Sequence, residues 1–217
     1  MSVSIFGAIM NPTYRPAVIA VIIVMLAQQL TGINSIVMYS VSLLSALLPA
    51  TATLLTVAVS ALNVIITLLC APLSDKLGRK TCILLSIAGM GINSVLLALG
   101  IYYSVKVLSA VATLLFVASF AVGLGPVPFI IANELVGPEA VGATQSWALA
   151  ANWIATFLVS QFFPILNKAL GKGSVYYVFA AFAAVFGAFI AWWVPETKGK
   201  SGADEVWGKK EARERVE

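Results

Sequence analysis

The sequence has no histidine, two cysteines and few charged residues. Only 10% of its 217 positions are Asp, Glu, Lys or Arg, whereas a soluble globular domain carries about 25%. Without histidine, two thiols alone do not make a zinc site, and the most common acid–base group of enzymes is missing. We therefore expect no metal ion, no cofactor, no enzymatic activity and no nucleic-acid partner, and the low charge excludes an ordinary soluble domain.

Long apolar runs take the place of the missing charges, and 60% of the residues are hydrophobic. Each run reaches the roughly 20 residues that a membrane-spanning helix needs, and none alternates in the way of a barrel strand. We predict an all-α integral membrane bundle of six helices, with an N-terminal segment at 1–16, a transmembrane domain at 17–194 and a C-terminal tail at 195–217. The predicted spans are 17–47, 51–72, 81–103, 108–131, 144–166 and 175–194.

The basic residues are distributed unevenly between the two sides of this predicted bundle. With six spans, both termini and the loop at 75–80 lie on the same side of the membrane. The other side holds Lys106, Lys168 and Lys172, which leaves 10 of the 13 Lys and Arg on the side of the termini. Because basic loops stay in the cytoplasm, we expect both termini to be cytoplasmic.

A polar stretch interrupts the first apolar run at residues 28–34, which read QQLTGIN. Amide side chains are costly in hydrocarbon unless they face a partner or a water-filled cavity. Gly32 permits a break in the helix, and an interrupted span with polar groups at membrane depth is typical of a transporter binding site. The stretch carries no charge, so it predicts a neutral ligand rich in hydrogen-bonding groups.

Three further stretches carry weaker signals. Residues 123–129 (GLGPVPF) predict a kinked, closely packed fourth span, because prolines remove helical hydrogen bonds; a static kink without function is the alternative. The loop at 75–80 (DKLGRK) predicts a tight turn that either anchors the topology or meets acidic partners. Residues 195–199 (PETKG) alone indicate only a charged helix end.

Taken in order, these stretches resemble the sugar porter family of the major facilitator superfamily, in its C-terminal half. Residues 28–34 are similar to the Gln-Gln-Leu-Ser-Gly-Ile-Asn signature of the family's seventh helix, and residues 75–80 to its loop between helices eight and nine. Residues 125–128, 152–153 and 195–199 resemble the Gly-Pro-Ile-Pro, Asn-Trp and Pro-Glu-Thr-Lys-Gly motifs of helices ten to twelve. The resemblance implies one half of a major facilitator fold.

The resemblance also implies a set of sugar contacts: Gln28, Gln29, Asn34, Asn63, Phe129 and Asn152. Amides both donate and accept hydrogen bonds, as sugar hydroxyls do, and an aromatic face covers the apolar side of the ring. Two alternatives stay open. Asn63 could instead bond a neighbouring helix, and one of the adjacent Gln28 and Gln29 could support the other without touching the sugar. Phe129 stands where many members of the family have Trp.

By the same resemblance, Arg79, Glu134 and Glu196 match a cytoplasmic gate, whose ion pairs hold the two halves together and break when the carrier opens inward. The implied function is transport of a carbohydrate, of the monosaccharide or hexose class, by alternating access. The implied partners are a sugar, the lipid bilayer of the plasma or an organellar membrane, and an N-terminal half or second copy that completes the site. The alternative is a non-transporting subunit or sugar sensor that retains half of the site.

Overall fold

The computed structural model describes residues 2–208, and its regular structure in this part is helical, with no strand. Helices long and apolar enough to cross a membrane are present six times, as the sequence predicts. The predicted all-α bundle is thus confirmed, with ends that differ by a few residues. The observed spans are Arg15–Leu44, Ala52–Cys70, Arg79–Tyr102, Lys106–Glu134, Val141–Leu170 and Val175–Trp193.

Two of these spans are each made of two helices, and three short helices lie outside the spans. The first span comprises α2 and α3, and the fourth comprises α7 and α8. The helices in chain order are α1 (Ile5–Met10), α2 (Arg15–Leu30), α3 (Ile33–Leu44), α4 (Ala52–Cys70), α5 (Leu73–Leu77), α6 (Arg79–Tyr102), α7 (Lys106–Val122), α8 (Val127–Glu134), α9 (Val141–Leu170), α10 (Val175–Trp193) and α11 (Ala203–Val206).

The first span breaks at Gly32, where the sequence predicts it. Gly32 has φ 103°, in the left-handed region that side-chain-bearing residues rarely adopt. A Cβ atom at this position would also lie 2.8 Å from the ring of Phe179 on α10. Both the backbone conformation and the available space therefore require glycine, and the helix restarts at Ile33.

The fourth span breaks between Val122 and Val127, also as predicted. A Cβ atom on Gly123 would lie 2.2 Å from the carbonyl oxygen of Cys82, so the backbones of the third and fourth spans approach closely here. Helical hydrogen bonding resumes where the Val127 N–H donates to the Gly123 carbonyl at 3.0 Å. The first and fourth spans of the bundle are therefore both broken helices.

The segments outside the spans dock onto the loop between the fourth and fifth spans. The Val3 N–H donates to the Glu139 carbonyl at 2.9 Å, and α1 is a helix that the sequence did not indicate. From the other end of the chain, the Trp207 indole N–H donates to the Leu135 carbonyl at 3.0 Å. The rest of the predicted C-terminal tail, residues 209–217, and Met1 lie outside the described residues.

Large apolar side chains cover much of the outer surface. In α4 only Ala52 and Val59 are buried, while Leu54 and Leu68 are about two-thirds exposed at 68% and 71%. Such a surface is unfavourable in water and favourable in hydrocarbon. Together with the six apolar spans, it marks the chain as an integral, multi-pass membrane protein.

Candidate functional site

A chain of hydrogen bonds joins four amide side chains across the break in the first span. The Asn34 Nδ2 donates to Gln29 Oε1 at 2.5 Å, and the Gln29 Nε2 donates to Gln28 Oε1 at 3.4 Å. Asn152 of α9 also donates its Nδ2 to Gln28 Oε1. We call Gln28, Gln29, Asn34 and Asn152 the amide chain; it brings together four of the six sequence-predicted sugar contacts.

Gln28 lies at the centre of the amide chain and also reaches the break in the fourth span. Its Nε2 donates to the carbonyl oxygens of Leu124 at 2.8 Å and Gly125 at 2.9 Å. Its Oε1 accepts from Gln29 and Asn152. The side chain is 3% exposed. Gln28 therefore uses both amide hydrogens and both acceptor positions inside the protein.

The outer members of the amide chain keep unused hydrogen-bonding capacity. Within residues 2–208, no hydrogen bond reaches the side-chain oxygen of Asn34 or of Asn152. In this part of the chain, the side-chain polar atoms that are fully buried and have no hydrogen-bond partner are Ser94 Oγ, Thr144 Oγ1 and Trp193 Nε1. The oxygens of Asn34 and Asn152 are not among them, so both are accessible. These two acceptors are thus open to a ligand that carries hydroxyl donors.

Aromatic side chains hold α3, and with it Asn34, against the bundle. The hydroxyls of Ser35 and Tyr176 are 3.1 Å apart, and the Tyr39 hydroxyl donates to the Ser160 carbonyl at 2.8 Å. The ring of Phe163 stacks on that of Phe179 with centroids 6.0 Å apart. This support fixes a short half-helix that could not hold its orientation alone.

The other two predicted contacts, Asn63 and Phe129, are not bonded to the amide chain. Asn63 is half-buried on α4, and within the described residues its side chain makes no hydrogen bond, so the alternative of a bond to a neighbouring helix is not seen. Phe129 lies in the first turn of α8 and is 39% exposed. Its carbonyl accepts from Gln145, while its ring contacts no other ring in that part. Both assignments stay predictions.

At the end of the bundle that carries the 75–80 loop, a second polar group of residues joins the third and fourth spans. The Arg79 guanidinium contacts Glu134, with Nη2 3.0 Å from Oε1, and Asp75, with Nη1 2.8 Å from Oδ1. The Thr197 hydroxyl donates to Glu134 Oε2. We call Asp75, Arg79, Glu134, Glu196 and Thr197 the charged cluster.

Glu196 belongs to the charged cluster through backbone contacts. Its carboxylate accepts from the N–H groups of Arg79 at 2.8 Å and Lys80 at 3.1 Å, the first residues of α6. A negative charge is stabilising at a helix N-terminus, where N–H groups lack helical partners. Gly78 leaves room for it, because a Cβ there would lie 2.4 Å from Glu196 Oε2. The three predicted gate residues therefore meet within this chain.

Some contributors to these two regions were missed from the sequence. The carbonyls of Leu124 and Gly125 bind Gln28, and Ser86 Oγ accepts from the Leu124 N–H at 3.0 Å. Pro128 could have indicated the Leu124 contact, because a proline four residues after Leu124 leaves the Leu124 carbonyl without its helical donor. Ser86 gave no signal, since one serine on an apolar helix is ordinary.

A family model described as Sugar (and other) transporter matches residues 3–207. The chain belongs to this family. A probable metabolite transport protein of Saccharomyces cerevisiae is 39% identical over 197 residues, covering 91% of this chain. The rat solute carrier family 2 facilitated glucose transporter member 2 is 32% identical over 209 residues, covering 94%. The chain spans 40% of the length of each of these two relatives.

Solved structures agree with this family membership. The xylose transporter XylE from E. coli, in an inward-open conformation, superimposes with a TM-score of 0.78 at 27% identity over 89% of this chain and 42% of that one. The same proton:xylose symporter bound to 6-bromo-6-deoxy-D-glucose gives 0.79 at 27% identity, over 88% and 42%. The bundle is therefore one half of a major facilitator fold, as its motifs predict.

Proposed function

We propose that this chain supplies one wall of a sugar-binding cavity in a membrane carrier. The observation that carries the proposal is the amide chain, which presents the open oxygens of Asn34 and Asn152 beside a break in the first span. Neutral amide groups suit hydroxyl-rich ligands, whereas a charged ligand would call for an ionic partner. The relatives named as glucose and xylose transporters support a monosaccharide, of the hexose class, as the substrate.

Within this cavity, Asn34, Gln29 and Asn152 are the proposed hydrogen-bonding contacts. Gln29 has one amide hydrogen left, since in residues 2–208 its Nε2 makes only the bond to Gln28. Asn63, whose amide is unpartnered in residues 2–208, and Phe129, whose ring is partly exposed, complete the wall when a ligand is present. Gln28 belongs to the same site but has no free hydrogen-bonding atom.

The opposite wall comes from an N-terminal half-transporter or from a second copy of this chain. Support comes from the length relation, since the relatives are much longer than the matched region. In major facilitator carriers the site lies between two halves, and one half rocks against the other. We assign the charged cluster to the cytoplasmic side, together with both termini, in a plasma or organellar membrane. There it would stabilise the state closed on that side.

Uptake of labelled glucose and xylose tests the carrier function in cells that lack hexose uptake. The chain is expressed alone and together with an N-terminal half from a relative, and binding to purified protein is measured in parallel. Uptake in either arrangement supports a carrier. Saturable binding without uptake in both arrangements would instead identify a non-transporting subunit or sensor, and absence of both would refute a sugar site.

The site assignment is tested by Asn152→Ala. Loss of one hydrogen bond to a neutral partner costs about 0.5–1.5 kcal/mol, so we expect sugar affinity to fall roughly two- to tenfold. Asn167→Ala is the matched control, because Asn167 lies on the same helix and makes no side-chain hydrogen bond in the described residues. Equal affinities for the two variants would remove Asn152 from the site.

A further inference from the structure

The carbonyl of Leu124 lacks the donor that a continuous helix would provide. In an α-helix each carbonyl accepts from the N–H four residues later. Four residues after Leu124 comes Pro128, which has no N–H. The preceding bond of the same register is present, since the Val127 N–H lies 3.0 Å from the Gly123 carbonyl. The Leu124 carbonyl therefore has no helical donor, and the cause is the proline at position 128.

The side chain of Gln28, in the first span, supplies the missing hydrogen-bond donor. Its Nε2 lies 2.8 Å from the Leu124 carbonyl and 2.9 Å from that of Gly125. Leu124 is fully buried, and an unpartnered carbonyl in an apolar interior is costly. The N–H of Leu124 is likewise met by a side chain, that of Ser86 at 3.0 Å. Both backbone polar groups of Leu124 thus bond to side chains of other helices.

The same contacts fix how the Gln28 amide is turned. Because its Nε2 faces two carbonyl oxygens, its Oε1 points the other way, where Asn152 and Gln29 donate to it. A reversed amide would set oxygen against oxygen on one side and nitrogen against nitrogen on the other. The orientation of Gln28 consequently dictates that Asn152 turns its Nδ2 inward and leaves its oxygen free.

We propose that Gln28 has a positioning role: it replaces the helical hydrogen bond lost at Pro128, and so orients Asn152 and Gln29 for the ligand. The motif at 28–34 and the motif at 125–128 then depend on each other physically. The coupling between Gln28 and Pro128 stands independently of the transported substance. Only the orientation of Asn152 and Gln29 toward a sugar rests on the proposed function.

A double-mutant cycle between Gln28→Leu and Pro128→Ala tests the coupling in the purified full chain. Alone, Gln28→Leu should lower the midpoint of thermal unfolding by about 2–4 °C. In the Pro128→Ala background the loss should be less than half as large, because Ala at position 128 restores an N–H for Leu124. Equal losses in both backgrounds would overturn the proposal.

Pro126→Ala is the matched control, because an N–H at position 126 serves the carbonyl of residue 122 and not that of Leu124. It should leave the effect of Gln28→Leu unchanged, and an equal rescue by Pro126→Ala would count against the proposal. If Gln28→Leu yields no folded protein, recovery of folded protein with Pro128→Ala but not with Pro126→Ala is the expected result. Failure of both to restore folding would contradict it.

Sugar binding separates positioning from direct contact. The affinity for labelled glucose or xylose should fall with Gln28→Leu, and Asn152→Ala should then cost less than half as much affinity as it does in the unaltered chain, because leucine has already removed the acceptor that orients Asn152. Losses that simply add in the Gln28→Leu/Asn152→Ala protein would mean that Gln28 acts on the ligand independently of Asn152, and they would overturn the positioning role. If the unaltered chain binds no sugar in either arrangement, the proposed function fails while the unfolding cycle still decides the coupling.

Discussion

The amide chain and the charged cluster perform the same mechanical task with different chemistry. Each ties the fourth span to other parts of the bundle: the amide chain reaches its central break, and the charged cluster reaches its end at Glu134. The amide chain is neutral and, apart from half-buried Asn34, buried. In the charged cluster the side chains of Asp75 and Glu134 are 69% and 30% exposed.

The difference follows the solvent at each depth. Within hydrocarbon, a charge costs more than a pairing partner returns, whereas an amide hydrogen bond needs no ion to be stripped of water. Near the aqueous surface, charges remain partly hydrated, and salt weakens their attraction. Salt and pH should therefore act on the charged cluster and its surroundings while leaving the amide chain unaffected.

The largest effect is expected from Gly32→Ala, which disturbs the amide chain. A left-handed conformation costs a residue with a side chain about 1–2 kcal/mol. The added Cβ would lie 2.8 Å from the Phe179 ring, and such overpacking costs about 1–3 kcal/mol more. We expect the free energy of unfolding to fall by about 2–5 kcal/mol in total, measured by thermal or denaturant unfolding in detergent.

Gly142→Ala serves as the control for Gly32→Ala. Gly142 lies in α9, and an added Cβ would have no atom of another described element within 4 Å, so its replacement should be neutral or slightly stabilising. The loss at Gly32 should also be the same at low and high salt. A loss that shrinks with salt, or one no larger than that of Gly142→Ala, would show that the break does not need glycine.

The sequence predicts the six spans and both breaks because their causes are local. Hydropathy determines the spans, and Gly32 and Pro126 interrupt helices through their own backbones. The partners of Gln28 were not predictable, since they depend on how the first span packs against the fourth. Glu196 was expected at an ion pair, but the folded chain uses it to cap α6.

A smaller effect, and one sensitive to salt, is expected from Arg79→Ala in the charged cluster. Among the described residues, the change leaves Glu134 with the Thr197 hydroxyl as its one remaining partner, and it removes the contact with Asp75. Because Glu134 is partly exposed, solvent screens the ion pair, and we expect a loss of about 1–2 kcal/mol in the free energy of unfolding. Arg79→Lys should lose less stability, since lysine keeps the positive charge, although it lacks the planar guanidinium that contacts both Asp75 and Glu134.

Unfolding measured between about 0.01 M and about 1 M salt, where the Debye length falls from about 30 to about 3 Å, checks the origin of this loss. The difference between Arg79→Ala and the unaltered chain should narrow as salt rises. A difference that stays constant would mean that Arg79 acts through packing of its side chain, as Gly32 does in the amide chain, and the contrast between the two regions would fail.

The smallest effect is expected in the loop that follows the fourth span, where Tyr14 donates its hydroxyl to Glu139 Oε1 at 2.9 Å. The pKa of the Glu139 carboxyl is held below its ordinary value, first by a hydrogen bond from its own backbone N–H and second by Tyr14. A lowered pKa in the folded chain contributes stability above the unfolded value of about 4.3, and this stability is lost as pH falls through the folded value.

Tyr14→Phe should therefore raise the pKa of Glu139 only part of the way toward its ordinary value, because the backbone hydrogen bond remains. An NMR titration of the Glu139 side chain measures this shift, with Tyr177→Phe as the control, since the Tyr177 side chain makes no hydrogen bond or ring contact within residues 2–208. The stability difference between Tyr14→Phe and the unaltered chain should vanish in acid and persist at neutral pH. The stability lost through Gly32→Ala should be the same in acid and at neutral pH, because amide side chains do not titrate. If that loss also shrank in acid, the amide chain and the Tyr14–Glu139 contact would not be independent.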